Sequence, residues 1–98
     1  MQFDHHLNLA RLVWAAHRPY LAALAAAGYT AFPQYCVTDF GFLYTYALAL
    51  HRGDTLTAFV QFGKRHHHDP ITCGGLPIFY VETPAALLHV LTKAHITP

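Results

Sequence analysis

Ninety-eight residues with 11% charged side chains, 54% hydrophobic side chains and a net charge of +1 bound this chain closely. The length makes one domain, residues 1–98, with a real but modest core. The only basic cluster, Lys64, Arg65 and the three histidines after them, is weak evidence for nucleic-acid binding, which normally needs a clear basic face, and two cysteines, Cys36 and Cys73, do not make a disulfide framework.

The first six residues do not pair a basic segment with an apolar one, so no signal peptide is read and the cytoplasm is the expected compartment. Asp4 is placed to cap a first helix. Leu9, Val13, Ala16, Tyr20 and Leu24 recur at helical spacing, with Asn8, Arg11 and Arg18 opposite them. Pro19 removes one backbone donor and disfavours helix at Arg18, so the helix is expected to bend or restart there. Ala22, Ala23, Ala25, Ala26 and Ala27 favour helix and allow close approach to a sheet, and Gly28 is a natural stop. The uncharged run 19–38 is interrupted by Pro19, Gly28, Pro33 and Gln34, so no membrane span is expected.

A first strand is predicted within residues 29–37, with Pro33 confining it to an edge or breaking it. A second runs over about residues 40–51, a turn follows at Arg52-Gly53-Asp54, and a third strand covers about residues 55–62. Residues 63–75 read as a polar loop and 76–81 as a fourth strand. Thr83 caps a last helix with Pro84 at its first position, and Leu87, Leu88 and Leu91 form its apolar stripe. The expected fold is α+β: a helix, kinked or broken, then a three-stranded antiparallel meander, a loop, a strand and a helix, with the helices on one face of an antiparallel sheet.

The second strand carries the strongest functional signal. Phe40, Phe42, Tyr44, Tyr46, Leu48 and Leu50 alternate onto one face, while Gly41, Leu43, Thr45, Ala47 and Ala49 fall on the other. Neither face is polar. A sheet built on this strand needs cover on both sides, and so short a chain has little to supply it. A partner surface is therefore expected, anchored by Trp14, Phe40, Phe42, Tyr44 and Tyr46, since aromatic side chains dominate interface energetics. Without lysine or arginine among these rings, base stacking is not expected.

Nine histidines offer a second chemistry. His66, His67, His68 and Asp69 are four donors in one stretch, and Zn²⁺ or Ni²⁺ is the ion they would take. Adjacent residues do not all converge on one ion, so a real site would recruit His51, Asp54 or His5. His6 and His17 lie about 16 Å apart along a helix and cannot share a metal; each reads as a hydrogen-bonded border residue. His95 suits the negative end of the last helix. Cys73, before Gly74-Gly75, is the more reactive thiol, although such a glycine pair ordinarily makes a turn.

Asp39 and Lys64 supply part of a metal-dependent nuclease set, which needs two carboxylates for Mg²⁺ and a lysine for developing charge. The second carboxylate is missing, and Gln61 stands near its place. The leading expectation is thus a small non-catalytic binding or regulatory protein, self-associating as a dimer or binding another protein, with no cofactor. The alternatives are a zinc or nickel protein or hydrolase using residues 66–69, and a catalytically degenerate, nuclease-like nucleic-acid binder.

Overall fold

The computed structural model describes the backbone of residues 2–5, 7–39 and 42–98, and the side chains of residues 15–33 and 44–98. The chain is an α+β domain. A short strand β1 (Gln2–His5) precedes helix α1 (Leu7–Ala26). The meander follows as β2 (Thr30–Asp39), β3 (Phe42–Arg52) and β4 (Thr55–Phe62). A two-residue strand β5 (Thr72–Cys73), strand β6 (Leu76–Val81) and helix α2 (Pro84–Lys93) complete it. The strand order is β1-β2-β3-β4-β6-β5.

The first three pairings are antiparallel, but β6 lies parallel to β4, so the sheet is mixed and not wholly antiparallel as expected. The reason is the long connection 63–75: a parallel return cannot be made by a tight hairpin and needs a crossover of about a dozen residues. That connection ends in a hairpin in which Cys73 faces Leu76 and Gly74 and Gly75 take φ of 57° and 81°. Two successive positive φ values mark a type I′ turn, so the glycine pair makes a turn. Gly53, with φ of 62°, opens the equally tight β3–β4 hairpin between Arg52 and Thr55.

Helix α1 runs unbroken through Pro19. Among its described side chains, residues 15–26, the buried ones are His17, Tyr20 and Leu24; Tyr20 and Leu24 lie on the expected apolar face, while Ala16 is exposed. Asp4, expected at the helix start, is a strand residue opposite Cys36, three positions before α1 begins at Leu7. At the far end Gly28 takes φ of 88°, Tyr29 N–H donates to Leu24 O (2.8 Å) and Gly28 N–H donates to Ala25 O (3.0 Å). That pair of bonds is a Schellman motif. Thr83 caps α2 as expected, its hydroxyl accepting Ala86 N–H at 3.1 Å.

Both helices cover one sheet face. Tyr20 and Leu24 of α1 and Leu87 and Leu91 of α2 pack on Leu48, Leu50, Ala58, Val60 and Val81. On the opposite face Tyr46, Ala49, Phe59 and Ile78 are buried with Cys73 of β5. The 63–75 connection covers this second face. Leu48, Ala49 and Leu50 are all 0% exposed, so for this part of β3 the short chain does cover both sides of its own apolar strand. Among the described residues no helix is long and apolar enough to cross a membrane.

Candidate functional site

The site begins with a break in β3. Regular alternation would keep Tyr46 and Leu48 on one face. Instead Leu48 joins the helix-covered core, while Tyr46 stacks on Phe59 in the opposite core, ring centroids 4.3 Å apart. The strand turns over at Ala47, and side chains hold it there. Ala47 N–H donates to Gln61 Oε1 (3.0 Å), and Gln61 Nε2 donates to Thr45 O (2.7 Å). His17 Nε2 lies 2.8 Å from Ala47 O. A carbonyl only accepts, so Nε2 carries the proton. The His17 ring is 1% exposed and tilts against Phe62, which stacks on Tyr20.

Among the described residues the β3–β4 ladder ends at Leu48–Val60, whereas the β2–β3 ladder continues to Asp39–Phe42. The outer part of the β2–β3 hairpin therefore parts from β4. The gap between it and the 63–75 connection is a cleft of about 290 Å³, lined by Tyr44, Thr45, Gln61, Lys64, Asp69 and Tyr80 among others. A second cleft of about 510 Å³ shares Tyr44, Tyr46 and Pro70 with the first and adds His68, Thr72, Cys73 and Gly74. Tyr44 stands on the rim of both and is 38% exposed.

The polar groups of these clefts are largely engaged with one another. Tyr80 O–H donates to Pro70 O (2.6 Å). Its acidity is weakened first by burial and then by the Asp69 charge, with Arg65 pulling the other way. Asp69 Oδ2 accepts His66 N–H (2.8 Å), Asp69 N–H donates to His66 O (3.0 Å), and Arg65 Nε donates to Asp69 O (2.9 Å). Residues 65–69 thus form a turn closed on itself. Burial raises the Tyr46 hydroxyl well above the usual phenol range, and a hydrogen bond with the Cys73 thiol adds to this. Cys73 is buried, which sets it apart from an accessible reactive thiol.

Of the expected interface rings, Tyr44 is presented outward and Tyr46 is 3% exposed beneath the connection. The side chains of Trp14, Phe40 and Phe42, and the Asp39 carboxylate, lie outside the described residues. His66, His67 and His68 are exposed, and the rings of His67 and His68 meet edge to face at 4.6 Å. Among the described residues no three histidine, cysteine or acidic side chains converge as a metal site would require. Lys64 and Gln61 do lie together in the cleft, but both ends of the Gln61 amide bind β3 backbone. The sequence marked His17 as a hydrogen-bonded border residue without its partner, and the structural role of Gln61 was missed. The signal was there: a polar residue inside an apolar stripe of a strand or helix must find a partner when buried.

A scan against protein-family models, a search of the curated proteins and a search of the solved structures each found no match to this chain, so the cleft is interpreted from its own geometry.

Proposed function

We propose that this protein acts by binding protein, without catalysis, and that its first partner is a second copy docking on the Tyr44 face. The observation that carries this reading is Tyr44 itself: a ring 38% exposed on the rim of two clefts, on a strand whose residues 48–50 are 0% exposed. An exposed aromatic beside concave surface is the usual make-up of an interface anchor. A net charge of +1 puts little electrostatic repulsion between copies. The non-catalytic part of the reading is supported by the commitments inside the clefts. The Cys73 thiol is buried in the cluster that holds Tyr46, the Tyr80 hydroxyl donates to Pro70 O, and the Asp69 carboxylate accepts a backbone N–H.

Molar mass measured by light scattering over a concentration series tests the proposal. Wild type should rise from monomer toward dimer. Tyr44→Asp should stay monomeric while its thermal unfolding remains cooperative, because the ring is at the surface and not in the core. A wild-type chain that stays monomeric at millimolar concentration would overturn the proposal, as would Tyr44→Asp associating like wild type.

A further inference from the structure

We infer that self-association through the Tyr44 face is weakened by acid, with His66, His67 and His68 as the sensor. This rests on the reading that the Tyr44 face binds a second copy, and it adds the regulation of that contact.

The placement of the three histidines is the first support. His66 lines the first cleft together with Tyr44, Lys64 and Asp69, and His68 lines the second together with Tyr44 and Tyr46. His67 meets His68 edge to face at 4.6 Å. All three are exposed, so their rings take up protons directly from solvent. The turn that carries them is closed by other groups. Asp69 Oδ2 accepts His66 N–H at 2.8 Å, Asp69 N–H donates to His66 O at 3.0 Å, and Arg65 Nε donates to Asp69 O at 2.9 Å. These bonds use the His66 backbone and not its ring, so charging the ring leaves them in place.

Symmetry sets the sign of the effect. A two-fold contact lays a patch against its own copy, so a charge gained by the patch is gained on both sides. With neutral imidazoles, Lys64 and Arg65 against Asp69 leave residues 64–69 with one net positive charge. Histidine is the side chain that gains its charge between about pH 8 and about pH 5. Three protonated rings bring the segment to four positive charges, facing four on the other copy. The remaining ionisable groups that line the clefts do not offset this. Acid keeps the Tyr44, Tyr46 and Tyr80 hydroxyls and the Cys73 thiol neutral, and a proton taken by Asp69 acts in the same direction. Protons therefore bind the separated copies more tightly than the associated pair, and by linkage acid favours the monomer.

The test uses the full chain and light scattering over a concentration series at about pH 8 and about pH 5.5, in low salt. The wild-type dimer should dissociate about tenfold more readily or worse at the lower pH, and the difference should shrink as salt is raised. The triple variant His66→Gln, His67→Gln, His68→Gln should dimerise like wild type at pH about 8 and keep that affinity in acid. A control changes two exposed histidines of the last helix and its end, His89→Gln and His95→Asn, on the element that covers the other sheet face. It should respond to pH like wild type, which separates the local patch from net charge. A wild-type dimer equally tight at both pH values overturns the inference. So does a triple variant that still dissociates in acid, or a control that no longer does. A far-UV circular dichroism spectrum that changes between the two pH values also overturns it, because dissociation would then follow unfolding. The two readings fail differently. A chain that is monomeric at both pH values removes both, whereas a dimer that ignores acid removes the sensor and leaves self-association standing.

Discussion

Gln61 and His17 share one task, holding the reversal of β3 at Ala47, but their settings differ. Gln61 bonds at the edge of the cleft, where Thr45 is exposed and water can replace a lost partner. His17 is 1% exposed, so the ring side of its bond to Ala47 O is closed to water, although Ala47 itself is half-buried. Removing a partner costs little where water enters and more where a polar group is left dry. Gln61→Leu should therefore cost about 1 kcal/mol of stability, and His17→Leu about 1–3 kcal/mol. Urea denaturation of the two variants reads the difference, and the opposite ranking would show that the Ala47 carbonyl is not dry. Neither partner could be read from the sequence. His17 was legible as a hydrogen-bonded residue at the margin of a stripe, but its partner lies 30 positions away. Gln61 invited comparison with an absent carboxylate because its true partners are backbone atoms, which have no signature of their own.

The helices repeat one device at their ends. Helix α2 closes like α1, with Ile96 N–H donating to Leu91 O (3.0 Å) and His95 N–H to Thr92 O (3.1 Å). Where α1 has Gly28, α2 has His95, at φ of 58°. The left-handed conformation costs a residue with a Cβ about 1–2 kcal/mol, and glycine avoids it. His95→Gly should raise stability by about 1 kcal/mol, seen as a higher melting temperature. A fall would mean that the ring makes a contact worth more than the strain. The two closed ends are then tied together, Tyr29 O–H donating to Ile96 O at 2.6 Å. Element by element, much of this was legible. Thr83-Pro84, Gly28, the Gly53 hairpin and the bounds of β4 and β6 all follow local rules of capping, turns and alternation. The strand β1 was not, because four residues carry too short a period to read.

At the scale of the molecule, three tyrosines share a behaviour. Tyr20, Tyr46 and Tyr80 are all raised above the usual phenol value, in each case first by burial. A group raised in the fold is protonated in both states below the unfolded value of about 10, so stability there is independent of it. Above that value the unfolded chain releases protons that the folded one keeps, and stability falls as pH rises. For Tyr46, 3% exposed, the slope approaches about 1.4 kcal/mol per pH unit. Stability from urea titrations should be flat in these groups up to pH of about 10 and then decline. Tyr46→Phe should flatten the decline, and an unchanged slope would mean that the ring opens to water before it ionises.

Which residues are strand, helix or turn was decided largely by the sequence, because those choices depend on neighbours a few positions apart. It also made β3 apolar on both sides, and from that alone a partner seemed necessary to cover it. Only the tertiary structure decided how the cover is divided. Two helices take one face, a folded-back connection takes the other, and Ala47 reverses the strand so that Tyr46 goes inside while Tyr44 stays out. The physical reason is that a reversal is stable only where its orphaned backbone groups find partners, and here those come from residues 14 and 30 positions away, brought close only by folding.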